Sequence, residues 1–431
     1  MEIAIEDEED EQQQQPKRIK ASHSTETSED PLWIPTLLPE IIIEILSRLP
    51  VESLLRCKSV CKLWCSMISD SHFVKSHLAL STSNNRYTHH RLILHTSPRI
   101  NLKSSPLYDV LYAESVNLLE HDYPLKHPYK SIWIAGSCNG LLFIAVEDDD
   151  LFLWNPGTRK SNRLPDVGFN VRSGSYVLYG FGYDESKDDY KVVGISCVFR
   201  SGGNYNIRVK IYSMKLGNWK NIGAFPHGIP LDDSGKLSNG ALHWAASQDF
   251  GSFYSWRIIS LDLAKETYGE ILQPVYDEGN KDLTLGALGE SLCVLCDYSK
   301  IRADVWVMKV YGVKDSWTKL VSIPYLTDPG RDQFSVPLCI SNDGKVLLQF
   351  GAKLVLYDSK NLSFSEIHNI DECHEAYTFV ESLVSPEAPI RIVLPVLDVC
   401  LVVSNKHVMQ IMLLYLSIVI MVKLVGLTVS P

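Results

Sequence analysis

Between Pro39 and Leu49 the apolar residues Ile42, Ile45, Leu46 and Leu49 fall at i, i+3, i+4 and i+7. That spacing predicts one face of a helix. Pro39 suits its first turn, and Pro50 ends it because proline has no N–H and clashes with the preceding turn. A second apolar set follows in Val51, Leu54, Leu55, Val60, Trp64, Met67 and Ile68, and runs on to Phe73 and Leu78. The pattern predicts three short helices within about forty residues, too few to bury all of these side chains among themselves. Part of this surface is therefore expected to face a partner or the rest of the chain. Trp64, Val60 and Met67 are assigned to the module's own core, since a small helical unit needs an aromatic centre.

From about residue 90 the period changes from helical to strand-like. Short apolar runs, such as Leu141–Val146, Tyr190–Val198, Ile258–Leu263 and Val346–Phe350, are separated by Gly, Asn, Asp and Pro. Stacking the runs shows a repeat. Trp154, Tyr212, Leu261, Val310 and Tyr357 mark equivalent positions at steps of 58, 49, 49 and 47 residues. Turn tags precede four of the repeats: Asn139-Gly140, Asn239-Gly240, Gly289-Glu290 and Asp343-Gly344. A period near 50 with about four strands per unit is what a kelch-like β-propeller requires. A β-sandwich, with even strand spacing and no long period, is the second choice. The fold class expected is α+β by segments, a small three-helix unit followed by an all-β propeller.

The 431 residues carry a formal charge of −10, of which the first 30 residues contribute −7. The remainder is nearly neutral and offers no basic field for nucleic acid. Residues 1–34 read as a disordered acidic tail, in which Pro16-Lys17-Arg18-Ile19-Lys20 is either a short nuclear-import signal or a solvated charge cluster. Ten irregularly spaced cysteines behind an acidic N-terminus argue for a reducing compartment, cytoplasm or nucleus.

No pattern for catalysis emerges. There is no Gly-x-Ser-x-Gly elbow, phosphate loop or His-Glu-x-x-His helix. Cys57, Cys61 and Cys65 stand at i, i+4 and i+8, with His72 or His77 as conceivable fourth ligands. They read instead as small buried hydrophobes interrupted by a helix break. Cys293 and Cys296 have CxxC spacing, but within a strand the odd separation places them on opposite faces. Glu147-Asp148-Asp149-Asp150 lacks the spacing and glycine of a calcium loop and reads as a solvated turn. No metal and no cofactor is expected. Trp154, Trp219, Trp244, Trp256, Trp306 and Trp317 are assigned to packing between repeats.

The helical segment resembles the F-box. The resemblance rests on Ile45-Leu46-Ser47-Arg48-Leu49-Pro50, Ser53-Leu54-Leu55-Arg56, Val60-Cys61-Lys62, Trp64, Phe73 and His77-Leu78. The family's opening Leu-Pro aligns with Leu37-Leu38, so a leucine stands in the place of the proline. Asn139-Gly140-Leu141, Trp154-Asn155-Pro156-Gly157-Thr158 and the later repeats look like the F-box-associated, kelch-like domain of plant F-box proteins. The boundaries expected are 35–80 for the F-box and 88–386 for the associated domain.

The resemblance implies a non-catalytic substrate receptor of an SCF-type ubiquitin ligase. Its F-box would dock on a Skp-type adaptor, and through that on a cullin and RING subunit. Its β domain would hold an unknown target protein. The adaptor face implied comprises Leu37, Leu38, Pro39, Ile42, Ile45, Leu46, Leu49, Pro50 and Leu54.

Residues 387–431 match nothing in that family. The apolar stretch Val408–Val429 approaches the ~20 residues that span a membrane. The segment reads first as an aberrant terminus, then as a membrane anchor, then as a last strand. The anchor would make the chain a membrane-tethered propeller interaction protein outside a ligase. A propeller enzyme with a cryptic site is a third alternative.

Overall fold

The computed structural model describes residues 38–387, apart from 85, 97–100, 148–149, 170–173, 201–203, 232, 249–255, 326–332, 369 and 371. The acidic tail, the Pro16–Lys20 motif, Leu37 and the apolar C-terminal stretch therefore lie outside the described residues.

The chain begins with four short helices, α1 (Pro39–Leu46), α2 (Val51–Lys58), α3 (Lys62–Ser69) and α4 (Ser71–Thr82). The expected count was three, and Asp70 is the reason for the fourth. Its extended backbone breaks the helical path, and its carboxylate accepts from the N–H groups of His72 (2.9 Å) and Phe73 (3.1 Å), capping α4. Pro39 sits at the first turn of α1 as expected, whereas α1 already ends at Leu46 with Ser47 as its C-cap, so that Pro50, expected to stop it, instead precedes α2 as its N-cap. Leu46, Val51, Leu54, Trp64, Ile68 and Phe73 form the module's core. Trp64 is buried as expected, whereas Val60 and Met67 are only half-buried.

Six sheets follow among the described residues, each an antiparallel meander. The first contains β1 (His90–Thr96), β2 (Asn101–Pro106), a short helix α5 (Leu107–Tyr112) and β3 (Leu119–Glu120). The second runs β4 (Ile132–Cys138), β5 (Leu141–Val146), β6 (Asp150–Asn155), β7 (Lys160–Arg163). The third runs β8 (Ser175–Asp184), β9 (Asp189–Phe199), β10 (Tyr205–Ser213), β11 (Asn218–Ile222). The fourth has β12 (Ile229–Pro230) and β13 (Lys236–Ser238), both paired to β14 (Ala241–Ser247), then β15 (Trp256–Asp262) and β16 (Thr267–Ile271). The fifth runs β17 (Asp282–Leu288), β18 (Ser291–Asp297), β19 (Arg302–Met308), β20 (Trp317–Pro324). The sixth runs β21 (Cys339–Ile340), β22 (Lys345–Phe350), β23 (Lys353–Asp358), β24 (Ser363–Glu366).

The last strand, β25 (Cys373–Val380), returns to pair with β1, Leu92 opposite Thr378, and becomes the innermost strand of the first sheet. This closes a six-bladed propeller, and the sandwich is set aside. Hydrophobic clusters lie between successive blades: Phe143 and Leu153 of the second meet Tyr179, Phe181 and Val192 of the third. Trp244 of the fourth meets Leu178 and Ile195 of the third. Each blade thus buries its faces on its neighbours, which is why the ring must close.

Glycine is required where inner strands approach. A Cβ on Gly180 would lie 2.8 Å from the Trp244 ring, and one on Gly286 would lie 2.3 Å from Val336.

Candidate adaptor-docking site

The helical module sits on one end of the ring, where the turns joining first to second and third to fourth strands emerge. A Cβ added to Gly157, in the β6–β7 turn, would meet the Val51 side chain at 3.3 Å. Lys75 of α4 pairs with Asp188, in the β8–β9 turn, at 2.8 Å. The His77 ring packs edge-on against His89, just before β1, and its Nε2 lies 2.9 Å from the Leu49 carbonyl. Burial pushes the His77 imidazole below its usual range, with the Leu49 carbonyl acting in the opposite sense. Leu383, beyond β25, inserts into the helical core itself. Tyr87, past α4, donates to the Ile340 carbonyl of the sixth blade. The module thus touches three blades and the segment after α4 a fourth, leaving the opposite end to the blade-to-blade crossings.

The structure divides the expected adaptor face in two. Leu46 and Leu54 are fully buried in the module's core, and Ile42 and Leu49 pack half-buried against it. These residues hold the module together and onto Leu383; Leu46 and Leu54 offer no surface to a partner. Leu38 and Pro39 are exposed, and Ile45 and Pro50 are half-buried. Three of the four stripe residues, Ile42, Leu46 and Leu49, form the inward face, as an apolar stripe turned to a core requires, while Ile45 lies outside that cluster.

The outward apolar surface lies elsewhere. Leu38 is 62% exposed, Ile41 44%, Ile43 42% and Leu63, on α3, 65%. Leu38, Ile41 and Ile45 follow at i, i+3 and i+7, which places them along one ridge of α1. Sequence reasoning passed over Ile41, Ile43 and Leu63 because they fall off the stripe. The run Ile41-Ile42-Ile43 was the available signal, since a helix apolar on every side is covered on every side. Covering half-exposed Leu and Ile side chains releases about 1 kcal/mol each, before association costs.

The chemistry considered elsewhere resolves into packing. Cys61 and Cys65 are exposed rather than buried, correcting the expectation, and Cys57 is half-buried with its thiol pushed up by burial. Burial holds the nearby Lys58 ammonium down, Cys65 opposing that effect and Lys160 adding to it. Cys293 lies in the cluster between the fifth and sixth blades, whereas Val294, of the same parity as Cys296, faces the fourth. Glu147 accepts from the Ser131 N–H (3.0 Å) and Asp150 from Arg163, while Asp148 and Asp149 are outside the described residues. Among the described residues no group of three His, Cys, Asp or Glu side chains could hold a metal ion. Nor is any described helix long and apolar enough to cross a membrane. Trp154, Trp244, Trp256 and Trp317 are buried, and Trp219 and Trp306 pack on inter-blade clusters.

Comparison with known proteins agrees with this architecture. Residues 37–79 match an F-box-like family and residues 93–386 match the F-box associated beta propeller domain. An F-box/kelch-repeat protein of Arabidopsis thaliana is 38% identical over 368 residues, covering 82% of this chain and 97% of its own. The F-box protein CPR1 of Arabidopsis thaliana is 32% identical over 381 residues, covering 81% and 89%. A further Arabidopsis thaliana F-box protein is 31% identical over 377 residues, covering 80% and 89%. The chain belongs to the plant F-box proteins that carry an F-box associated β-propeller.

Proposed function

We propose that the chain is the substrate-recognition subunit of an SCF-type ubiquitin ligase. The ridge Leu38, Ile41 and Ile45, with the neighbouring Pro39 and with Leu63 of α3, docks on a Skp-type adaptor, itself tied to a cullin and RING subunit. Leu37, next to this ridge in sequence, joins the contact, and Pro50 fixes the turn behind it. The propeller end away from the module holds the target protein. The chain performs no bond chemistry of its own; it raises the local concentration of a target lysine near a ubiquitin-charged enzyme. Such a complex works in the cytoplasm or nucleus.

One observation carries this reading. A four-helix module leaves large apolar side chains in water on one ridge while burying Ile42, Leu46 and Leu49 of its regular stripe in the core that also takes in Leu383. That arrangement matches an amphipathic helix presented to a groove. The test is co-purification of the full chain with a Skp-type adaptor. The wild type is expected to retain the adaptor and the pair Ile41→Asp, Ile45→Asp to lose it. Retention by the charged variant would show that this ridge is not the dock.

A further inference from the structure

The two sequence tags of the second blade, Asn139-Gly140 and Asn155-Pro156-Gly157, converge on Ser382–Val384, separated by one residue from the end of β25. The Ser382 hydroxyl donates to the Asn139 carbonyl at 2.8 Å. The Asn155 amide donates to the carbonyls of Ser382 (3.0 Å) and Val384 (2.8 Å), while its own oxygen accepts from the Thr158 N–H at 3.1 Å. Asn155 and Ser382 are fully buried, so no water competes for these bonds. Gly140 has φ +81°, and a Cβ there would stand 2.3 Å from the Ser382 hydroxyl and 2.6 Å from the Val380 carbonyl. The segment can lie where it does only because residue 140 has no side chain. Val384 packs on the cluster between the second and third blades. Leu383, between two anchored neighbours, goes the other way, into the core of Leu46, Val51, Leu54 and Phe73.

We infer that Ser382–Val384 is a clasp that fixes the helical module at one angle to the propeller, with Asn155 and Leu383 as its positioning residues. The significance of this rests on the receptor reading above. A target held on the propeller reaches the ubiquitin-charged enzyme only if the joint between docking module and ring is stiff. A loose joint spreads the target over a larger volume and lowers its effective concentration. Asn155 acts through the clasp and touches neither adaptor nor target. Its amide cannot be replaced by a carboxylate, which would face two carbonyl oxygens with no proton to give. The clasp also ties the joint to ring closure, because it is the direct continuation of the strand that closes the first blade.

The test uses the full chain with a spin label on the exposed Cys65 of α3 and a second at Lys265→Cys, in the exposed turn after β15, in a Cys61→Ser background. The wild type is expected to give one narrow distance peak. Asn155→Asp and Leu383→Asp are expected to broaden it at least about twofold, and Leu383→Met to keep it narrow, since that swap conserves volume. Hydrogen exchange of β14–β15 and β18–β19 is expected to stay unchanged in all three. A peak that stays narrow in both charged variants overturns the clasp. So does broadening that appears only together with loss of protection in the second blade, which would mark Asn155 as a residue of blade stability alone. Adaptor capture, measured on the same samples, is expected to persist in Asn155→Asp. Failure of the wild type to capture adaptor would overturn the docking reading, while the distance distributions would still decide the clasp.

Discussion

Two leucines and two isoleucines of neighbouring sequence carry opposite duties. Leu46 and Leu54 have no exposed surface, whereas Ile41 and Ile43, on the same short helix as Leu46, stand more than two-fifths in solvent. Leu46→Ala is therefore expected to cost about 2–5 kcal/mol of module stability through the cavity it leaves. Ile41→Asp is expected to change stability by no more than about 0.5 kcal/mol. Helical ellipticity followed through a urea titration reads both. Two buried histidines set a pH dependence. His243 donates from Nδ1 to the Lys236 carbonyl (3.0 Å) and accepts at Nε2 from the Tyr311 hydroxyl (2.8 Å), which fixes the neutral ring. Burial lowers it to about 4. His121, against Ser104 and the Trp154 ring, is also lowered to about 4, first by burial and then by Arg91, Arg159 and Lys126. Above about pH 6.5 both rings are neutral whether the chain is folded or not, and their full contribution is present. As the pH falls towards about 4 the unfolded chain takes up protons that the folded rings refuse. Stability then drops, by at most about 3 kcal/mol for each ring. Urea midpoints measured from pH 7 to pH 4 are expected to fall, and less steeply in His243→Gln.

Among the elements, the cap at Asp70 has the most direct consequence. Its carboxylate satisfies two otherwise unpaired N–H groups of α4, and Asp70→Ala is expected to lower module stability by about 1 kcal/mol, read by thermal melting. The same residue shows why three helices were expected and four occur. Its apolar neighbours keep a helical rhythm, and only the local hydrogen bonds mark the break. Strands were legible according to depth. Second strands such as β5, β9, β14 and β18 are buried almost end to end and read as continuous apolar runs. Outer strands such as β7 and β24 expose Lys160–Arg163 and Ser363–Glu366, so they carry no apolar signal and read as turns. Inner strands include glycines, as at Gly136, Gly180 and Gly286, because neighbours crowd the axis, and glycine obscures the strand pattern. The repeat marker held at Trp154, Tyr212, Leu261 and Tyr357, all buried on third strands. It slipped at Val310, which lies exposed beyond β19, where the buried residue is Met308. The candidate docking ridge was only half legible. Both faces of α1 keep a helical spacing, Ile42, Leu46 and Leu49 inward and Leu38, Ile41 and Ile45 outward, and spacing alone does not tell which face the chain covers itself.

On the scale of the whole molecule the ring is closed by its last strand and the helical module is joined to that closure. β25 supplies the innermost strand of the first blade, and Leu383, three residues beyond it, enters the helical core. A chain ending before Cys373 is therefore expected to lose both ring closure and module seating, and to show no cooperative thermal transition by calorimetry. Among the described residues a closed ring carries a module with an exposed apolar ridge, and the account stands on what covers that ridge. The most direct measurement is calorimetric titration of a purified Skp-type adaptor into the full chain and into the pair Ile41→Asp, Leu63→Asp. Saturable binding by the wild type, weakened at least about a hundredfold in the charged pair, is the predicted result. Equal affinity in the two proteins, or no binding to the wild type, would contradict it.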